Sequence, residues 1–267
     1  MTRIRFQQSL EDLKENLLVM AGLAEQAIQR AIEAYRTRDL SICDLVSRSE
    51  IAINRMERDI DQTALDLLAM EQPMAIDLRF ILSVIKINAD LERVGDAAKS
   101  IAERVRHMER LGSVDLPVDI PRMASLAADM VRRSLQSFIE GDAELARTVL
   151  TMDDAVDQMN RTCYKTLTRV MEESSHLAPQ ALNALMISRS LERVADHATN
   201  IAEDVIFWIQ GDDVRHYKGV AKAGATGAAA GPASSGAAPA GADPAGTAPV
   251  RADPADTTPA GTVPTQS

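Results

Sequence analysis

The chain has 267 residues, 46% of them apolar, 25% charged and only 3% aromatic, with a formal net charge of −10. A core so short of Phe, Tyr and Trp must be built from Leu, Ile, Val, Met and Ala, a mix that favours helices over strands. The acidic body excludes sequence-independent nucleic-acid binding, which needs clustered Lys and Arg; it fits cation binding or docking to a basic partner, and high solubility alone would also explain it.

From residue 2 to about 209 the pattern is helical. In the first predicted helix, 3–37, Leu10, Leu13, Leu17, Met20, Ala24, Ile28, Ala31 and Tyr35 recur at three and four spacing. The stretch RTRDLS breaks it, and Asp39 is placed to cap a second helix that runs to about Glu71. Pro73 is expected at the start of a third helix, which continues to about Arg110. At ~1.5 Å per residue this helix is ~55 Å long. The segment LGSVDLPVDIP is a connector. A fourth helix ends at Glu140, where Gly141 stops it and Asp142 can cap the fifth. The fifth reaches about Ser174; Pro179 opens the sixth, which runs to about Gln210 before Gly211. Past Tyr217 the chain is Ala, Gly, Pro, Ser and Thr with almost no large apolar residue, so 216–267 is expected to be a disordered tail. Cys43 and Cys163 are isolated thiols, which suggests a reducing compartment. The N-terminus lacks the apolar stretch of a secretion signal, and no run approaches the ~18–20 apolar residues of a membrane span. A cytoplasmic protein is expected.

The helical region is duplicated. LERVGDAAKSIAERV (91–105) returns as LERVADHATNIAEDV (191–205), identical at ten of fifteen positions. MAGLAEQAIQRAIEAYRTRD (20–39) aligns with MASLAADMVRRSLQSFIEGD (123–142) at an offset of 103, as EIAINRME (50–57) does with DDAVDQMN (153–160). The offset falls to 100 in the third helix, so the second copy is three residues shorter near its second turn. The expected architecture is all-α: two tandem three-helix bundles, 1–112 and 113–215, followed by the tail. Gly95 lies inside the third helix and Ala195 at the matched place, which predicts close approach of a neighbouring helix.

The repeat retains charges as well as core. Glu92 and Asp96 are i and i+4 on one face, and Glu192 and Asp196 repeat them. Such like pairs destabilise a helix by ~0.2–0.5 kcal/mol. Glu50 and Asn54 on the second helix align with Asp153 and Asp157 on the fifth. If the pairs face each other, each bundle offers up to four oxygen ligands, suited to hard cations such as Mg²⁺, Mn²⁺, Ca²⁺ or iron. A solvated face neutralised by Arg93, Arg193 and Lys99 is the competing reading. A di-metal carboxylate enzyme would need two Glu-x-x-His motifs, and the chain has one, Glu173–His176. His197 has Ala97 as its repeat counterpart and reads as a surface or interfacial side chain. Phosphate loops, nucleophile elbows and zinc spacings are absent, so no enzyme is expected.

Two such repeats, each carrying LERV-[G/A]-D and then I-A-E, the first within DLRFILSVIKINADLERVGD (77–96), resemble the PhoU family over residues 1 to about 215. The resemblance implies a cytoplasmic, non-catalytic negative regulator of phosphate uptake and starvation signalling. It implies as partners a high-affinity phosphate ABC transporter and a sensor histidine kinase, homodimerisation, and membrane association only through partners. It also implies divalent or trivalent metal ions (Fe, Mg, Mn or Zn) at Glu50, Asn54, Glu92 and Asp96 in one bundle and Asp153, Asp157, Glu192 and Asp196 in the other. Asn54 departs from the acidic pattern. A metal-binding helical-bundle enzyme or a metal store is the alternative.

Overall fold

The structure, a computed structural model, describes residues 3–112, 114–212 and 214. The expected tail, 216–267, lies outside the described residues. Six α-helices follow in order: α1 Arg3–Thr37, α2 Leu40–Glu71, α3 Ala75–Leu111, α4 Ile120–Glu140, α5 Ala143–Glu173 and α6 Ala178–Gln210, with a 3₁₀ turn at Ser175–Leu177 before the last. No strand occurs among the described residues.

Local chemistry sets the ends. Asp39 accepts a hydrogen bond from the Ser41 amide at 2.8 Å, and its repeat mate Asp142 accepts from Glu144 and Leu145 at 2.8 and 3.0 Å. Gly141 and Gly211 close α4 and α6 in the left-handed conformation. Pro73 departs from expectation. It lies in the break before α3 rather than in its first turn. Gln72 ends α2 in a left-handed cap with φ 46°, and Met74 is extended.

α1, α2 and α3 pack on one another, as do α4, α5 and α6. The predicted α1 stripe from Leu10 to Ala31 is buried. The two bundles lie side by side, with α3 against α6 and α1 against α4. α3 and α6 run antiparallel. Arg79 donates to the Trp208 carbonyl at 3.2 Å, Ser83 to the Asp204 carbonyl at 3.0 Å, and Gln180 near the other end to the Leu111 carbonyl at 2.9 Å. Phe80, Phe138 and Trp208 close one end of the seam, with ring centroids 5.2–6.0 Å apart. Among the described residues no helix is long and apolar enough to cross a membrane.

Candidate functional site

In each bundle the acidic line on the third helix lies within electrostatic reach of carboxylates on the second. Burial pushes the Glu92 carboxyl up, and the neighbouring charges of Asp96, Glu57 and Glu50 push it further, against the pull of Arg93. Glu192 is raised in the same way, by burial first and then by Asp196, Asp157 and Asp153, with Arg189 opposing. Glu50 from α2 and Asp153 and Asp157 from α5 thus face the acidic line on the following helix.

The two sets differ in detail. Glu50 is buried, at 8% exposure, and its Oε1 accepts from Asn54 Nδ2 at 2.8 Å and from Lys99 Nζ at 3.1 Å. The hydrogen bond to Glu50 holds the Lys99 ammonium above its ordinary pKa. A resident cation therefore reaches into the first set. At the position matching Lys99 the second bundle has Thr199, whose hydroxyl donates to the Asp196 carbonyl at 2.7 Å. In that bundle Arg161 approaches Asp157 at 3.5 Å.

Among the described residues no three His, Cys, Asp or Glu side chains converge closely enough to hold an ion as they stand. An ion would have to draw the carboxylates inward by side-chain rotation. The donor chemistry fits that role. Both raised glutamates carry repulsion that a hard cation relieves, and Asn54 Oδ1 is buried with no hydrogen-bond donor beside Glu50. The second set, all carboxylate and without the lysine, fits better than the first.

Glu173 and His176, the single Glu-x-x-His pair, are exposed at the end of α5, with Glu173 3.8 Å from Arg169. His197 is interfacial. Its Nδ1 lies 2.8 Å from Oδ1 of Asp90, a residue only 5% exposed on α3. Asn200 Nδ2 donates to the same oxygen at 3.2 Å, and Arg93 stands 3.6 Å from it. Lys86 bridges to Asp204 at 3.0 Å one turn along the seam. Sequence reasoning left this polar seam unread. Its one visible signal is that Asp90, like His197, breaks the repeat, with Ser190 in its matched place.

Comparison with known proteins places this arrangement. The family model described as PhoU domain matches residues 17–105 and again 120–205. A Pseudomonas aeruginosa protein named "Phosphate-specific transport system accessory protein PhoU homolog" is 38% identical over 213 residues, covering 79% of this chain and 88% of the relative. A Pseudomonas putida protein of the same name is 37% identical over 213 residues, covering 79% and 83%. The crystal structure of PhoU from Pseudomonas aeruginosa superposes with a TM-score of 0.75 at 38% identity, covering 78% of this chain and 100% of that one.

Proposed function

Because the chain belongs to the PhoU domain family, we propose that it is an accessory regulator of phosphate uptake that restrains a phosphate-specific transport system and its signalling when phosphate is plentiful. It is not an enzyme: its relatives are named as accessory proteins. The observation that carries the reading is the family match to both repeats, at positions that include both acidic i,i+4 lines on α3 and α6.

In this reading the protein is cytoplasmic, couples a phosphate ABC transporter to a sensor histidine kinase, and reaches the membrane only through them. It works as a homodimer, with 1–112 and 113–215 as its repeated units. It acts by binding one state of its partner better than another, which shifts that partner's equilibrium. Cations would be held by Glu50, Asn54, Glu92 and Asp96, and by Asp153, Asp157, Glu192 and Asp196. A bound ion supplies charge neutralisation, turning an acidic face into one that a partner can approach.

The test is deletion of the gene in its own host. Phosphate-starvation genes should then be expressed in phosphate-rich medium, and restoring the chain should silence them. Unchanged expression together with unchanged phosphate uptake would remove the regulatory reading. Complementation with Glu92→Ala plus Glu192→Ala asks separately whether the acidic faces are needed.

A further inference from the structure

The two arginines of the repeated Leu-Glu-Arg-Val segment meet at one place. The α3–α6 contacts pair residues whose numbers add to 287–291, from Arg79 with Trp208, Ser83 with Asp204 and Asp90 with His197 to Lys86 with Asp204 and Leu111 with Gln180. With a repeat offset of 100, the position lying opposite its own copy falls between 93 and 96. Arg93 and Arg193 therefore flank the point where the two copies cross, and both line a single groove of about 520 Å³. Lys99, Ser100 and His197 line it too. Buried Asp90 accepts from His197 Nδ1 and stands against Arg93, so one carboxylate steadies two of the groove's polar side chains. Asp90 and His197 are both unmatched in the other copy, yet they meet each other, and the pair serves this one groove.

We propose that this groove binds a phosphate group, with inorganic phosphate as its simplest source. Guanidinium forks, an ammonium and a hydroxyl are donors matched to phosphate oxygens. Arg93, Arg193 and Lys99 line the groove on a chain whose net charge is −10. Lys99 is shared with Glu50 at 3.1 Å and Arg93 with Asp90 at 3.6 Å, so the arginine pair carries the site and the lysine supports it. Asp96 and Glu103 complete the wall. A carboxylate only accepts hydrogen bonds, so it favours an oxyanion that still carries a proton. Inorganic phosphate keeps one at neutral pH, and sulfate has none. A monoester, with its second pKa at ≈ 6, has largely lost its own. An anion seated between Arg93 and Arg193 ties α3 to α6, and so biases how the two bundles sit. Its physiological meaning rests on the regulatory reading above, while its binding is measured on the protein alone.

Titration calorimetry of the purified full chain, with chelator present, tests it against phosphate, AMP and sulfate. One phosphate should bind per chain. Arg193→Gln and Arg93→Gln should each weaken it by about tenfold or more, as should replacing phosphate with sulfate. Both arginines are exposed, and circular dichroism checks that the variants stay folded. AMP binding in place of phosphate, with the same arginine dependence, keeps the groove and moves the source to a phosphate monoester. Absence of binding by both, equal binding of sulfate, or affinity unmoved by either arginine would overturn the site. So would phosphate binding seen only in a parallel titration without the chelator, because the phosphate would then be held by a metal. If the groove fails, the deletion phenotype still stands as a test of regulation. If the phenotype fails, the binding result stands.

Discussion

Where the first bundle sets Gly95 against Ile53, the second has Ala195 and, aligned with Ile53, Val156. All four are buried. One carbon has moved from one helix position to the other. The polar changes behave differently. Lys99 faces Glu50 where the second copy has Thr199; Asp90 has Ser190 as its counterpart, and His197 has Ala97. Lys99 is paired inside its own bundle, with Glu50. Asp90 and His197 compensate each other across the seam. The duplicated scaffold thus absorbs apolar drift locally, while its polar differences mark places where the copies stopped doing the same job.

The largest effect should come from forcing the copies back into agreement at the seam. Asp90→Ser installs the second copy's residue and leaves His197 and Asn200 without their acceptor. Loss of hydrogen bonds to a buried carboxylate should destabilise by about 2–3 kcal/mol. Urea unfolding of Asp90→Ser, His197→Ala and the double variant gives the coupling. If the two single effects simply add, the pair is not what joins the bundles.

The acidic faces come next. In a Mn²⁺ titration the second set should bind more tightly, because it has four carboxylates where the first has three and an amide, and its cation, Arg161, stands 3.5 Å from Asp157 where Lys99 is 3.1 Å from Glu50. Glu192→Gln should weaken it by about tenfold, or ~1.4 kcal/mol, and Lys99→Thr should strengthen the first set. A Lys99→Thr variant with unchanged affinity would break the contrast between the two sets. Without metal the sign reverses. Both glutamates have folded-state values raised above the ordinary 4.5. The folded state therefore holds those protons more tightly than the unfolded chain does. Its stability is favoured at acid pH and is lost as pH rises from about 4.5 through the raised values. Glu92→Gln plus Glu192→Gln should flatten that slope and raise the melting midpoint at neutral pH. A larger gain over wild type at low pH than at neutral pH would contradict it.

These contrasts were only partly legible in the sequence. Asp39, Asp142, Gly141 and Gly211 announced helix ends because capping is local chemistry. The i,i+4 spacing put Glu92 and Asp96 on one face, but whether Glu50 faces them stayed conditional in the sequence, because it depends on how α2 packs on α3. The antiparallel register of α3 and α6 could not be read, because it depends on how two finished bundles dock. Asp90 and His197 are 107 residues apart, and no local pattern joins them. The break in the repeat at both positions was the trace they left. Lys99 was read as a neutraliser of the acids, but that its partner is Glu50, one helix away, needed the packing.

A smaller effect tests the apolar exchange. A Cβ on Gly95 would stand 2.9 Å from Ile53 Cδ1 and 3.3 Å from Cγ2. Gly95→Ala gains ~1 kcal/mol of helix propensity but overpacks by ~1–3 kcal/mol. The Cδ1 methyl can swing away, so a net loss of about 1 kcal/mol is expected. Ile53→Val alone should also destabilise, by ~0.5–1.5 kcal/mol. Together they rebuild the pair found in the second bundle, and chemical denaturation should return the double variant to wild-type stability or above. Additive losses would mean that the two residues do not share one space.

The smallest effect concerns the turn that leads into α2 and α5. Arg38 and Gly141 are repeat mates with the same left-handed backbone, φ 60° and 64°. For a residue with a side chain that conformation costs roughly 1–2 kcal/mol. Arg38 recovers part of this by stacking its guanidinium 4.9 Å from the Tyr35 ring, a contact worth about 0.5–1 kcal/mol. Its Nη1 is buried without a hydrogen-bond partner, which works against it. Arg38→Gly should therefore stabilise by ~0.5–1 kcal/mol, and Gly141→Ala should destabilise by about 1 kcal/mol. Tyr35→Leu separates the contributions: it should weaken the wild-type chain more than the Arg38→Gly chain, because the cation has already gone. If Arg38→Gly is instead destabilising, the stacked pair holds the first bundle's turn, and the two turns, alike in backbone, are kept by different forces.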